Sequence, residues 1–470
     1  MSATHLELAV KDGGESCKSK GLRAGCEQQP RPLAAWLAVL DTEGEPKWLA
    51  NARRNASTAF AQVGLPTRKN EEWRYSEPRI RGLESASFNV TTTAAIPAGI
   101  NLTDLGIPML GGRTMVFVDG DFVPSLSSPL ADGVQLLPLA GALADDSLQA
   151  RLSLTGGQET GFDLLNTALF KDGVLVDVPK NVDVSEVFHL IFVNRIPGMA
   201  THPRVLVRLG ANSRLHLIES RVCTADESLS NSVTQLQVGP GATLHHVATL
   251  EGSAGNSRQL EHIAVSVAAD GRFRSNLTVI GSSESESEGP SALVRVDLDV
   301  DLVGEGAECT LEGLYLGAAN DHIDCHTRID HRVPCCTSRQ LYKGILAGKA
   351  KAVFNGKVLV HVDAQHSQAQ QSNKNLLLSE GALVNTKPQL EIWADDVQCA
   401  HGATVGRLDE DALFYMQSRG LPKTEARKLL RVAFANEICS GVRSNPMRAH
   451  LEEVLASWLS RVDASLAVTP

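Results

Sequence analysis

Residues 204–218, RVLVRLGANSRLHLI, contain two runs with a period close to two, joined by a short turn. The runs are residues 204–209 and 214–218, and the turn between them is GANS. Successive side chains of a β-strand point to opposite faces, so this period is typical of a strand with one buried face. Residues 294–300, VRVDLDV, alternate in the same way. Both stretches therefore predict β-strands separated by tight turns.

Similar turns recur along the chain. The first or central glycines of four such turns, separated by 29, 32 and 33 residues, are Gly210, Gly239, Gly271 and Gly304. Glycine in such turns is expected because it tolerates positive φ. A near-regular repeat with strands on both sides is typical of a β-solenoid or a large sandwich. About 300 residues of short strands would overfill an ordinary sandwich, so the predicted fold is mainly β, with a solenoid over residues 95–406.

Helical spacing replaces the period of two before this zone. In residues 31–94 an apolar stripe extends from Trp48 to Phe60, and Gly64 and Pro66 are placed to end that helix. Residues 1–30 are polar and rich in Gly, Lys and Ser, which predicts a disordered tail.

Residues 407–470 predict three further helices. Asp409 can cap the first, Pro422 suits the first position of the second, and Asn445 with Pro446 opens the third. A helical block can cover the end of a solenoid, which needs a cap, or it can dock a partner. Both roles remain open at this point.

Composition excludes some classes of function. The chain has 470 residues, of which 43% are hydrophobic and 21% charged, as expected of a folded globular protein. A net charge of −10 and a pI near 5.8 argue against nonspecific nucleic-acid binding. Aromatic residues make up 4%, which also disfavours a surface that stacks bases.

The cysteines and the hydropathy pattern indicate where the protein resides. No apolar run approaches the roughly 20 residues that cross a bilayer, and no secretory signal is readable. The nine cysteines are odd in number and widely spread, which is typical of reduced thiols. We therefore expect a cytoplasmic protein.

The stretch QCAHGATVG at residues 398–406 is the main candidate for chemistry. On a strand, Cys399 and His401 project from the same face, and both are suitable ligands for iron or zinc. Two ligands do not complete a site, so the pair predicts a metal site shared with other residues, such as those of a second chain. His361 and His366 are upstream candidates from a neighbouring coil. A buried thiol beside a surface imidazole is the structural alternative.

The histidine-rich run DHIDCHTRIDH at residues 321–331 resembles a metal site at first sight. On a strand, one face would carry His322, Asp324, His326, Arg328 and Asp330. The opposite face would carry Cys325, Ile329 and His331. Because a cationic arginine lies between the acids, we favour an ion-paired ladder over a metal site, while metal binding remains an alternative.

Common catalytic motifs are absent from the sequence. GILAGKA at residues 344–350 is one residue short of a phosphate-binding loop and lacks its hydroxyl residue. G-x-S-x-G, H-E-x-x-H and paired C-x-x-C motifs are also missing. We therefore expect no catalytic residues and no enzymatic activity of the chain itself.

Several of these segments together resemble the SufB/SufD family of iron–sulfur cluster assembly proteins. The resemblance rests on RKNEEWRY at 68–75, on IDHRVP at 329–334 with SRQLYKGI at 338–345, and on KPQLEI at 387–392 with CAHGATVG at 399–406, LFY at 413–415 and SRG at 418–420. The HGATVG form is more similar to SufD-type than to SufB-type sequences, which usually have Glu after the His. Residues 1–30 lie outside the resemblance.

The resemblance implies a right-handed parallel β-helix with helical N- and C-terminal parts. It implies a non-catalytic scaffold subunit that works with a SufB-like subunit and a SufC-like ATPase, and that shares a transient iron–sulfur cluster with its partner. His401 is the residue implicated at that interface, with Cys399 as its neighbour. Docking of the ATPase is implied for the C-terminal helices, with the residues Leu413, Phe414, Leu429, Leu430 and Phe434.

Other functions remain to be weighed against this one. The chain could be a purely structural partner without a ligand role, or a metal-binding β-helix protein that uses residues 322–331. A polysaccharide-degrading β-helix enzyme would need a groove of carboxylates and usually an export signal, and neither is evident. The isolated chain could also pair with itself.

Overall fold

The computed structural model describes residues 31, 32, 35, 37, 40, 42–90, 100–128, 134–152, 159–252, 255–281 and 292–468. The predicted tail of residues 1–30 lies outside this set. The strands are β1 Arg31–Pro32, β2 Ser87–Phe88, β3 Arg113–Val118, β4 Asp121–Phe122, β5 Gln135–Pro138, β6 Gly173–Val178, β7 Asp183–Asn194, β8 Ala200–Thr201, β9 Arg204–Leu209, β10 Arg214–Cys223, β11 Leu229–Val238, β12 Thr243–Glu251, β13 Arg258–Val267, β14 Arg272–Ile280, β15 Leu293–Leu302, β16 Glu308–Gly317, β17 His322–His331, β18 Thr337–Leu346, β19 Lys351–Val360, β20 Gln368–Leu377, β21 Leu383–Ile392 and β22 Gln398–Gly406. The α-helices are α1 Lys47–Val63, α2 Glu77–Ile80, α3 Leu139–Ala142, α4 Gln149–Leu152, α5 Gly161–Leu169, α6 Glu410–Ser418, α7 Lys423–Cys439 and α8 Asn445–Val468. Short 3-10 helices span Glu71–Trp73, Leu102–Leu105, Pro124–Leu126 and Asp146–Leu148.

Two large sheets form the core of the protein. The first has the order β22-β20-β18-β16-β14-β12-β10-β7-β3-β4, and the second has the order β21-β19-β17-β15-β13-β11-β9-β6-β5. Alternate strands thus belong to opposite sheets, and each strand from β9 onward pairs in parallel with the strand one coil away. This connectivity makes a solenoid of about eight turns. The predicted fold class, a parallel β-solenoid with helical regions at both ends of the chain, is confirmed.

The regular coil begins later than the sequence pattern predicts. The pattern predicts the alternating zone from residue 95, whereas uninterrupted coils start at Gly173 in β6. Between residues 113 and 172 the strands are short and alternate with α3, α4 and α5. Most of these elements have two to six residues, which is too short for either period to dominate, so the pattern does not separate them.

Close stacking of turns explains some of the turn glycines better than positive φ does. A Cβ added to Gly304 would lie 1.9 Å from the backbone nitrogen of Ala269 in the turn of the neighbouring coil. Positive φ occurs instead at Gly241, with a φ of 64°, and at non-glycine residues such as Asn212 and Asp270. Because successive turns lie directly against each other, the repeat requires a residue without a side chain at the contact.

The N-terminal region packs on the outer face of the second sheet. Helix α1 buries Trp48 and Phe60 as predicted and ends at Gly64. It also buries Arg53, which the apolar stripe did not indicate, and whose Nη1 donates to the carbonyl of Ala168 at 2.9 Å. Farther along, Trp73 lies under the Arg295 guanidinium, 3.8 Å from ring centre to Cζ.

The C-terminal helices lie along the side of the solenoid. Asp409 caps α6 by accepting from the backbone of Asp411 and Ala412, as predicted, and Pro422 precedes α7. Helices α7 and α8 bury residues such as Trp458 against an apolar strip on the first sheet that extends from β10 to β20. Of the two roles left open, covering the end of the coil is therefore not what α7 and α8 do. None of the helices in the described ranges combines the length and the hydropathy that a membrane span requires.

Candidate functional site

The C-terminal end of the solenoid is an open pair of strand edges. Strand β22 pairs only with β20, and β21 pairs only with β19, so no described strand covers the far side of either. Nearly every residue of β22 is exposed, in contrast to the neighbouring strand β20, where inward-facing residues such as Ala369 are buried. Unpaired strand edges readily accept a strand from another chain. The geometry therefore leaves room for a further coil or a partner at this end.

Cys399 and His401 lie on β22 and face along the interior of the coil. Cys399 is register partner of the buried Ala369, and it packs partly against the interior core. His401 is two residues farther on the same face, is register partner of Gln371, and is exposed. The two candidate ligands therefore share one face at the open end of the interior.

The backbone of the same two residues also points to the open edge. In a parallel sheet, the backbone groups of successive residues bond in turn to the strand on one side and to the strand on the other side. The backbone N–H of Gln398 donates to the carbonyl of Ser367, at the entry to β20, at 3.0 Å. By alternation, the N–H groups of Cys399 and His401 are directed away from β20. A partner strand would thus meet both the backbone and the side chains of this pair.

The thiol of Cys399 is not activated in the isolated chain. Burial raises its pKa, and a hydrogen bond from the backbone of Ala369 only partly opposes this effect. The thiolate is the form that binds metal, so ligation at Cys399 requires loss of a proton that the protein alone does not promote.

Among the residues that the structure describes, none completes the site as a third ligand. The described residues contain no cluster of three or more His, Cys, Asp or Glu side chains arranged to hold a metal. The ring centre of His361 lies 5.8 Å from that of Trp393, and the Nδ1 of His366 lies 2.9 Å from a carboxylate oxygen of Asp396. Both histidines thus lie in the corner between β19 and β20, against residues of the next corner, rather than beside His401. Any further ligands must come from outside the described chain.

The histidine-rich run forms a docking network on β17. His322 shares a hydrogen bond of 2.8 Å with Ser76, and the Nε2 of His326 lies 2.8 Å from Asp324. His326 also contacts Glu72 at 3.2 Å, so the run holds the N-terminal region against the second sheet. Burial lowers the pKa of His322 to about 4. These histidines are therefore engaged by side chains of this chain.

The remaining residues of that face form ion pairs. Arg328 pairs with Asp330, and Arg332 contacts Asp330 at 3.1 Å and Asp301 at 2.9 Å. His331 lies on the opposite, interior face, 2.8 Å from Ser338. The ion-paired ladder that the alternation favoured is what the geometry shows.

The five residues implied for ATPase docking differ in exposure. Leu413 is buried, with 1% of its surface exposed, so its side chain cannot be a primary contact. Phe414 is 74% exposed and Leu429 is 41% exposed. Leu430 and Phe434 are partly buried, and Phe434 lies under the Nζ of Lys343 at 4.4 Å. An exposed docking surface on these helices is therefore limited to Phe414, Leu429 and neighbours such as Tyr415.

Several exposed apolar residues at the open end were not singled out from the sequence. They belong to the last coil and are Leu383, Ile392, Trp393 and Val405. Their alternation resembles that of any other coil, so only the knowledge that no further coil follows distinguishes them.

Comparison with known proteins places these features in a family. A family model described as SUF system FeS cluster assembly, SufBD core domain, matches residues 192–434, and one for the SufBD protein N-terminal region matches residues 39–190. The chain is 30% identical over 428 residues to an iron–sulfur cluster assembly SufBD family protein of Synechocystis sp., covering 88% of this chain and 91% of that protein. It is 29% identical over 449 residues to the iron–sulfur cluster assembly protein SufD of Escherichia coli, covering 92% and 97% respectively. The SufD of Bacillus subtilis is 24% identical over 427 residues, covering 87% and 94%.

Proposed function

The chain belongs to the SufBD family of iron–sulfur cluster assembly proteins, and we propose that it is a SufD-type scaffold subunit without catalytic activity of its own. In this proposal a SufB-like subunit covers the open end of the solenoid and shares a nascent iron–sulfur cluster with it. A SufC-like ATPase docks on the C-terminal helices. The cluster is the cargo of the complex and is passed on after assembly.

The observation that supports this proposal best is the location of His401. The residue lies on the outermost strand, faces the interior end of the coil and is accessible, and among the described residues no third ligand joins it and Cys399. A neutral imidazole offers one nitrogen to iron, and a partner can contribute thiolates. The arrangement is that of one half of a shared site.

The attachment of the C-terminal helices supports a mechanical link to the ATPase. The Nζ of Lys343 on β18 donates to the carbonyl of Phe434 at 2.8 Å and pairs with Glu437 on α7. Exposed Phe414 and Tyr415 on α6 offer an apolar surface next to this anchored helix. When the ATPase closes on ATP, it would pull on these helices, and the force would be transmitted to the coil. The subunit interface would then shift, and the cluster ligands there would become accessible to iron and sulfur.

Replacement of His401 by Ala tests the ligand role. The variant is co-expressed with the SufB-like subunit and the ATPase, and clusters are reconstituted anaerobically. We expect the complex to assemble while cluster absorbance is lost. His366→Ala is a matched control, because this exposed histidine lies in the corner between β19 and β20 and pairs with Asp396. An unchanged cluster yield in the His401 variant would refute the role.

The nearest rival is a purely structural subunit. It predicts a normal cluster yield when Cys399 and His401 are both replaced, provided that the complex still forms. Metal storage at residues 322–331 is a weaker rival, because those side chains already bind Ser76, Asp324 and Glu72. Storage predicts stoichiometric metal in the isolated chain, which elemental analysis would detect.

A further inference from the structure

A polar column crosses the last coils of an otherwise largely apolar interior. Thr327 on β17, Gln340 on β18 and Gln371 on β20 all project inward. The Nε2 of Gln371 donates to the Oε1 of Gln340 at 2.8 Å, and the Nε2 of Gln340 donates to the hydroxyl of Thr327. Both amides are buried, with 4% of each side chain exposed. In this series of hydrogen bonds, the side-chain N–H groups of Gln371 and Gln340 therefore point into the solenoid, away from its open end.

The end of the column nearest the open edge is an acceptor without a donor. The Oε1 of Gln371 is buried and has no hydrogen-bond partner among the described residues. The amide position is fixed by a glycine opposite, because a Cβ added to Gly356 would lie 2.2 Å from the Nε2. A buried carbonyl oxygen is normally paired, so an unpaired one indicates a missing donor.

His401 is the residue placed to supply that donor. Gln371 and His401 are register partners on adjacent parallel strands, which lie about 4.8 Å apart. Both project to the interior face, so the imidazole is the first polar group above the amide. Exposed side chains change rotamer freely, and the bond therefore requires only that the exposed imidazole turns toward the amide.

We propose that Gln371 is a positioning residue for His401: its Oε1 accepts one ring N–H and so leaves the other ring nitrogen free to bind iron. The inference rests on the proposed function, because it assigns a partner to the same ligand. A neutral imidazole has one donor and one acceptor nitrogen, and metal-binding histidines usually donate the other N–H to a carboxylate or carbonyl oxygen. Gln371 supplies such an oxygen from the coil beneath.

The tautomer of His401 is the direct readout. In full-length protein with ¹⁵N-labelled histidine, the His401 signals are assigned by their loss in the His401→Ala variant. We expect wild type to hold one neutral tautomer and Gln371→Leu to show a mixture. Gln371→Glu retains an acceptor and should restore the single tautomer. Gln370→Leu is the matched control, because Gln370 is exposed on the opposite face of β20 and should leave the tautomer unchanged.

A second readout uses the assembled complex with the SufB-like subunit and the ATPase. Loss of such a supporting contact typically lowers metal affinity by about 10- to 100-fold, so Gln371→Leu should release iron to a chelator faster by a similar factor. Gln371→Glu and Gln370→Leu should retain iron like wild type.

The outcomes separate this inference from the proposed function. An unchanged tautomer in Gln371→Leu, or failure of a folded Gln371→Glu variant to restore it, would overturn the inference while leaving the role of His401 intact. A mixed tautomer in Gln371→Leu together with a normal cluster yield in His401→Ala would instead overturn the proposed function.

Discussion

Protonation of His326 is predicted to stabilise the docking of the N-terminal region. Its ring lies between Asp324, at 2.8 Å, and Glu72, at 3.2 Å. Burial and the charge of Arg295 lower the pKa of His326, but Asp324 and Glu72 outweigh them and raise it to about 9. The cation is therefore the form that holds Glu72, and with it the N-terminal region, against β17.

The direction of the pH effect follows from this raised pKa. The folded protein keeps the proton above the ordinary histidine pKa of 6.5, where the unfolded chain has released it. The stabilisation is thus fully present below about pH 6.5 and is lost as the pH rises through about 9. By linkage, His326 alone should lower the free energy of unfolding by about 2 kcal/mol between about pH 7.5 and about pH 9.5.

Urea unfolding of wild type, His326→Gln and His322→Gln at these two pH values measures the effect. His326→Gln should lose about 2 kcal/mol less than wild type over the interval. His322→Gln is the control, because burial lowers the pKa of His322 to about 4 and the residue is neutral at both pH values. His262 also has a raised pKa, because Asp163 lies beside it and outweighs the effect of burial. It is present in all three proteins, so its contribution to the pH dependence of the free energy of unfolding cancels in the comparison. Equal pH dependence of wild type and His326→Gln would refute the reasoning.

Two further predictions concern the interior and the helical attachment. Gly344→Ala should lower the free energy of unfolding by roughly 1–3 kcal/mol, because the added Cβ would lie 2.1 Å from the Tyr315 ring. A Cβ added to Gly402 would meet no atom within 4 Å, so Gly402→Ala should leave the free energy of unfolding nearly unchanged. Urea unfolding measures both effects. Equal effects of the two substitutions would contradict the packing argument. Lys343→Met should speed amide exchange in residues 423–439 without changing exchange in the coil, and unchanged exchange there would show that Lys343 does not anchor α7.

Much of the fold could be predicted because each strand follows one local rule. The alternation in residues 294–300 assigns Val296 and Leu298 to the face of the strand opposite Asp297, and both are buried in the interior of the solenoid. The helix ends at Gly64 and Asp409 were equally local, because a cap depends on its immediate neighbours. Periodicity thus identifies strands, faces and caps.

Other features depend on residues far apart in sequence. Ser76 and Glu72 reach His322 and His326 across about 250 positions, and no local pattern indicates such a contact. The burial of Leu413 was also unreadable, because a short amphipathic helix does not show which neighbour covers it. The spacing of Cys399 and His401 identifies them as a candidate pair. Their position on the outermost strand follows only from the structure, which shows that β22 belongs to the last coil.

Amide hydrogen exchange of β22, with and without the SufB-like subunit, tests most directly whether the open end is the shared interface. In the dilute isolated chain, the N–H groups of Cys399, His401, Ala403 and Val405 should exchange rapidly, because they face away from β20. In the assembled complex these four should become protected, while exposed positions on α6 away from the ATPase contact remain unchanged. Rapid exchange of all four in an assembled complex would contradict the account.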